Sequence, residues 1–203
     1  EWCTDAQSKR EARAHGFALC IRGVAKGMGV ILLLALNDAM ELHDVWFVSV
    51  IWMAFLMYCA LGGAVDAVGT LGSLFGIRQK TFLNAPVVAQ NPRDFWGRRW
   101  NLWFTQTANR LMFQPLGGTK RPMLAGLAVF AFSALMHEYM VFVSLERFDG
   151  RMLGFFAVHG LATMLYAVYA RSIGPSISIP RPIAVAMHFV WFVATGPLFF
   201  GPV

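Results

Sequence analysis

Charge is scarce in this chain. Only 14% of its 203 residues are Asp, Glu, Lys or Arg, against about a quarter in an ordinary soluble domain. The few charges lie between long apolar runs, which excludes one large soluble core and points to a polytopic membrane protein. Cysteine is also sparse. Cys3, Cys20 and Cys59 stand far apart, so neither a CxxC pair, a zinc motif nor a disulfide framework is present. No His, Cys, Asp or Glu cluster has metal-ligand spacing, and no metal is expected. The sequence has no GxSxG, and HEYMV lacks the second histidine of HExxH. The polar start, EWCTDAQSKREAR, adjoins no apolar core with a cleavage site, so no signal peptide is expected. Low-complexity tracts and internal repeats are absent. No basic repeat or RNA motif accompanies the net charge of +6, which therefore calls for no nucleic-acid partner.

What is abundant is apolar. Hydrophobic residues make up 57% of the chain and aromatic ones 14%, as lipid-facing surfaces and interfacial belts require. Five segments are long enough to cross a bilayer, for which about 20 helical residues suffice: residues 17–36, 45–65, 123–145, 152–170 and 183–203. The expected fold is an all-α polytopic transmembrane bundle of about five spans with an added amphipathic interfacial helix. The first span is the weakest, with Arg22 and Lys26 in its first half, where snorkelling would carry both to the interface. An N-terminus on the cytoplasmic side puts 15 of the 17 basic residues on that side and leaves Arg147 and Arg151 opposite. Asp38, Glu41, Asp44, Glu146 and Asp149 share the opposite side, as the positive-inside rule predicts. Because the chain opens on Glu1 and its last apolar run reaches Val203, it is expected to be part of a longer protein, a single domain over 1–203.

Residues 66–122 are too apolar for a solvated loop and are expected to form a cytoplasmic-side re-entrant or interfacial segment. Gly69, Gly72 and Gly76 make either a close-packing stripe or a flexible exit from the second span. Asn91-Pro92 predicts a turn or a helix start. From Asp94 to Leu116, Trp96, Trp100, Trp103, Phe104, Thr107 and Leu111 recur at spacings of three and four, predicting one amphipathic helix with Arg98, Arg99 and Arg110 off the stripe.

The third span carries His137-Glu138, and an ionisable group in a span costs at least about 2.5 kcal/mol when charged at the centre. Two readings stay open on the residues alone: a helix-packing hydrogen bond, with Glu138 as local partner or reaching the interface, or a functional base. His159 and His188 in the last two spans favour interhelical bonding. His15 and His43, in polar flanks, carry no signal, and Ser133 reads as a helix-packing hydroxyl. The three span histidines could instead line a proton or ligand path in a transporter or channel subunit, and a non-catalytic scaffold is a further alternative.

The segment DFWGRRWN, at 94–101, precedes FSALMHEYMVF, at 132–142. Together and in this order they resemble the membrane-bound O-acyltransferase superfamily, most closely its wax synthase-like branch, whose members share an FWGRRWN-type segment and a span of the form SGLMHE. Here Ala134 stands for the usual glycine, a small-for-small change. The resemblance covers residues 91–143 closely and the flanking spans by hydropathy. It implies a membrane enzyme that transfers an acyl group from acyl-CoA to a lipophilic alcohol, in the endoplasmic reticulum membrane of a eukaryote, without a further cofactor. It implies His137 as the catalytic histidine and Asn101 as the second polar residue of the site. Trp96, Arg98, Arg99 and Trp100 are then candidate contacts for acyl-CoA, although tryptophan and arginine near a bilayer surface are also ordinary anchors.

Overall fold

The computed structural model describes residues 3, 5–40, 45–172 and 179–201. Glu41, His43, Asp44, the middle of the link between the last two spans and the end of the fifth span, at Pro202 and Val203, lie outside the described residues. The described residues are mostly helical, with no strand among them. Five helices are long and apolar enough to span a membrane: residues 7–37, 46–74, 122–145, 151–172 and 181–200. The chain divides into two compact units, residues 1–82 and 83–203.

The first unit is a helical hairpin of α1 (Ala6–Met40) and α2 (Trp46–Leu74). Both helices outrun the apolar windows that predicted them, α1 starting before Phe17 and α2 continuing past Val65. Small residues bring them together. A methyl group on Gly16 would overlap the Ser73 side chain, and one on Gly69 would lie 2.7 Å from Leu19 Cδ1. Gly69 is thus a close-packing position, whereas Gly76, at φ +76°, ends the helix in the left-handed region open to glycine. Thr70 Oγ1 donates to the Gly16 carbonyl at 3.4 Å across the same seam.

Arg22 and Lys26 do not snorkel outward. Both turn to Asp66 on α2, with contacts of 2.5 Å from Arg22 Nη2 and 2.7 Å from Lys26 Nζ. Asp66 is only 2% exposed. A buried carboxylate is tolerable when paired and hydrogen-bonded, and here two cations on one helix hold it. Setting these two aside, 13 basic residues against two still carry the charge asymmetry read from the sequence. The outer faces are hydrocarbon-like, with Phe17, Ile31, Val68 and Leu71 exposed.

The second unit contains α3 (Pro92–Arg98), α4 (Leu102–Ala108), a π-helical turn (Asn109–Phe113), α5 (Pro122–Leu145), α6 (Arg151–Ser172), α7 (Arg181–Thr195) and a last turn, α8 (Pro197–Phe200). The single helix expected from Asp94 to Leu116 is instead broken at Asn101. Helices α5 and α6 form an antiparallel pair with small residues at the seam: a methyl group on Gly160 would meet Phe130 Cβ at 2.9 Å, and one on Gly126 would meet Met164 at 2.7 Å. Ala134, Phe155 and Phe156 form the buried centre, with Trp96, Phe130, Leu153, Leu198 and Phe199 around them.

Replacing Asp66 by Leu should destabilise the protein by up to about 3 kcal/mol, because half-buried Lys26 loses its partner. The triple replacement R22L/K26L/D66L should recover most of that loss. Unfolding in mixed micelles as a function of detergent denaturant checks both, and equal losses in the two variants would contradict the pairing.

Candidate active site

The Trp-rich segment goes deep. Trp96 on α3 donates its indole N–H to His159 Nδ1 at 3.1 Å, and His159 Nε2 lies 3.0 Å from Thr195 Oγ1. An indole nitrogen can only donate, so Nδ1 is the acceptor and Nε2 carries the proton of this ring. The Thr195 hydroxyl in turn bonds the Trp191 carbonyl at 3.0 Å. One imidazole, fully buried, thus ties α3 to α6 and α7. His159 lies eight residues into α6, about 12 Å along its axis. Segment 92–98 therefore reaches the interior of the helix bundle at the level of mid-α6. Trp96 also packs edge-on against Phe130 and Phe155, with centroids 5.7 and 6.3 Å away.

Local chemistry shapes the same segment. Asn91 caps α3, its side chain accepting from Asp94 N at 2.8 Å, and Pro92 occupies the first turn. An amide cap followed by proline is a favoured helix start. Asp94 accepts from Arg99 Nε at 2.7 Å, and Arg99 Nη1 donates to the carbonyls of Asn84 and Ala85 at 3.3 and 3.2 Å. Arg99 is thereby engaged in strapping the preceding loop to α3. The Arg98 side chain is exposed and has no partner among the described residues. Trp100 stacks on Phe95 at 5.7 Å, almost parallel.

Asn101 takes φ +42° and ψ +61° and caps α4, its Oδ1 accepting from Phe104 N at 3.1 Å. Asparagine is among the few residues that tolerate this left-handed geometry and can also cap. That dual fitness breaks the amphipathic run. With Oδ1 occupied, the group left to Asn101 is its amide N–H2, which has no partner among the described residues. Thr105 Oγ1 lies 3.2 Å from the Asn101 carbonyl and 3.0 Å from that of Trp96, joining the two positions.

His137 is half-buried on α5. Its Nδ1 lies 2.7 Å from the Ser133 carbonyl, one turn back. A carbonyl only accepts, so Nδ1 bears the proton and the Nε2 lone pair is free. The ring packs against Phe156 at 4.5 Å and Phe199 at 6.0 Å. Phe156 also lies 5.8 Å from Trp96, so one aromatic ring borders both the histidine and the tryptophan. No hydrogen bond or ring contact joins His137 to Asn101 among the described residues.

Three features escaped the sequence. Glu138 does not pair with His137: it is 3% exposed, and Oε1 accepts from Gly150 N at 2.9 Å while Oε2 accepts from Leu153 N at 3.3 Å, at the turn between α5 and α6. His188 is also buried, but its nitrogens find no partner among the described residues. It stacks on Trp191 at 5.8 Å, so the expected interhelical bond forms at His159 and not at His188. The third is the π-helical turn after α4, whose Asn109 accepts from Gln114 at 3.3 Å. No three His, Cys, Asp or Glu side chains converge as a metal site among the described residues.

Trp96→Phe should cost about 1–3 kcal/mol of stability through the orphaned His159 Nδ1, and the double variant W96F/H159L should lose less than W96F plus H159L. Thermal unfolding in detergent measures that coupling; strict additivity would show that the bond carries no energy.

Known proteins match the segments that hold these residues. Residues 80–158, which hold α3, Asn101, His137 and Phe156, match the model of the membrane bound O-acyl transferase family. The acyl-CoA–sterol O-acyltransferase 1 of Arabidopsis thaliana is 29% identical over 127 residues, covering 59% of this chain and 37% of that protein. The long-chain-alcohol O-fatty-acyltransferase of Simmondsia chinensis is 30% identical over 128 residues, 59% of this chain and 36% of its own. A probable long-chain-alcohol O-fatty-acyltransferase 2 of Arabidopsis thaliana is 36% identical over 108 residues, 48% and 32% of the two chains. The chain therefore spans roughly a third of the length of these relatives. No solved structure matches it. With five apolar spans, the chain is thus similar to membrane bound O-acyl transferases across the segments that hold Asn101 and His137, and to relatives named for long-chain-alcohol and sterol acylation.

Proposed function

We propose that the protein transfers a fatty acyl group from acyl-CoA to the hydroxyl of a lipophilic alcohol, releasing an ester and coenzyme A. The observation that carries this reading is the tautomer of His137. With Nδ1–H held by the Ser133 carbonyl, Nε2 is the basic atom, set beside Phe156 and Phe199. An alcohol meeting Nε2 gives up its proton as its oxygen attacks the thioester carbonyl, and the collapsing tetrahedral intermediate expels the thiolate, which takes the proton. No acyl-enzyme and no further cofactor are required, since the thioester is already activated.

Asn101 contributes a donor. Its free amide N–H2 suits a developing oxyanion or the acceptor hydroxyl. Of the two arginines, exposed Arg98 suits the phosphates of coenzyme A, whereas Arg99 serves the loop. Trp96 and Trp100 then act by shaping the site. Similar relatives are named for sterol and for long-chain-alcohol substrates; both acceptors present one hydroxyl on a hydrocarbon body, as an aromatic-walled site between spans would accommodate. In a eukaryotic cell the corresponding location is the endoplasmic reticulum membrane. A path through the three span histidines has less support, since no hydrogen bond joins any two of them among the described residues and both nitrogens of His159 are taken.

In membranes holding the whole protein, H137A should abolish ester formation from labelled acyl-CoA and a panel of long-chain alcohols and sterols, with expression unchanged; retained turnover would remove the base. Asp at position 101 keeps the cap but loses the donor, so N101D should fold normally and lose about a hundredfold in rate. Full activity in N101D would reduce Asn101 to a helix cap. R98Q should raise KM for acyl-CoA, while R99Q should lower thermal stability more than it changes KM.

A further inference from the structure

We infer that Glu138 is a positioning residue for His137: its buried carboxylate clamps the start of α6 and so sets the Phe156 ring against the imidazole. This rests on the acyl-transfer reading for its catalytic consequence, but the clamp itself is geometric. Glu138 Oε1 accepts from the backbone N–H groups of Asp149 and Gly150 at 3.3 and 2.9 Å, and Oε2 accepts from Leu153 at 3.3 Å. These are amides of the turn and first residues of α6, which that helix cannot satisfy itself. A carboxylate there also meets the positive end of the helix dipole.

The turn is built for the contact. Gly150 adopts φ +73° with open space where a Cβ would stand, so glycine is demanded by the backbone and not by crowding. Asp149 is occupied separately, with Arg147 and Arg151 at 3.2 and 3.4 Å and the Arg151 N–H at 3.1 Å. It does not compete for the amides that Glu138 binds.

Register follows from the clamp. Leu153, whose N–H is held, and Phe156 are three residues apart and so lie on one face of α6. Glu138 adjoins His137 on α5. Fixing the height of Leu153 against Glu138 therefore fixes the height of Phe156 against His137, where the rings are 4.5 Å apart. The apolar remainder of the seam, with Gly126 beside Met164 and Gly160 beside Phe130, supplies close contact with little directional preference. In a lipid environment, where apolar faces slide at small cost, directional bonds to backbone amides are what pin such a pair. A charged group, fully satisfied, is then a reason to keep a glutamate in a span.

The test has one arm that needs no activity. In the whole protein with Cys3, Cys20 and Cys59 replaced by Ala, the pair F130C/G160C starts with its Cβ positions 2.9 Å apart, about half an ångström closer than in an ordinary disulfide, and mass spectrometry of the linked peptides reports the α5–α6 register. Adding E138A should cut the linked fraction at least threefold, and an unchanged fraction would overturn the clamp. In the other arm, on the native-cysteine protein, E138Q and G150A should lower kcat about 10- to 100-fold, with KM for acyl-CoA and alcohol within twofold and E138D closer to the native rate than E138Q. If E138A fails to fold, G150A perturbs the clamp from its other side, since an L residue strains the φ +73° turn that presents these amides without crowding any neighbour. A lowered linked fraction with unchanged kcat in E138Q and G150A would overturn the positioning role. Absence of ester formation by the native protein would sink the acyl-transfer reading, and the positioning role with it, while the disulfide arm still judges the clamp.

Discussion

Trp96 donates its indole N–H into the core of the second unit, to a histidine that no solvent reaches, and the rest of that unit is arranged around the bond. Inside a membrane bundle a polar group has no water to fall back on, so each buried donor or acceptor must find protein. His159 meets that demand on both nitrogens at once, which draws α3 in from the chain before α5 and holds α7 through Thr195. Phe95 then packs against Phe192 and His188, and Trp96 against Phe130 and Phe156. The candidate site borders this cluster.

Burial in both units runs opposite to the soluble pattern. The exposed faces are Phe, Leu, Ile and Val, while the buried set includes Asp66, Ser73, Ser133, Glu138, His159, Thr163 and His188. Apolar contact alone discriminates poorly between helix registers when the solvent is itself apolar. Specificity falls to a few directional pairs: Asp66 with Arg22 and Lys26 in the first unit, and His159 and Glu138 in the second. His188 is the exception, a buried imidazole without a partner among the described residues.

The long-range layout was legible in the sequence because span length and hydropathy are local properties. All five apolar windows became helices, and Asn91-Pro92 became a capped helix start. The segments around Asn101 and His137 were legible as a family resemblance. The break at Asn101 was not, since aromatic spacing continues across it and only the left-handed backbone with its Phe104 cap stops the helix. The pairing of Arg22 and Lys26 was also hidden: their spacing to Asp66 spans a whole hairpin, so nothing local marks it. Arg98 and Arg99, adjacent and chemically identical, part company only once the Asn84–Ala85 carbonyls are in place.

By itself the sequence determined that this is a helical membrane protein with a histidine in its third span and a basic, tryptophan-rich segment before it. Those properties follow from hydropathy summed over a window and from residue identity. Tertiary structure alone decided which nitrogen of His137 is basic, which hydrogen-bonding group Asn101 retains, and that Glu138 binds the start of α6 and not its neighbour His137. Each of these depends on where a backbone carbonyl or amide comes to lie, and only the folded chain brings those groups within hydrogen-bonding distance.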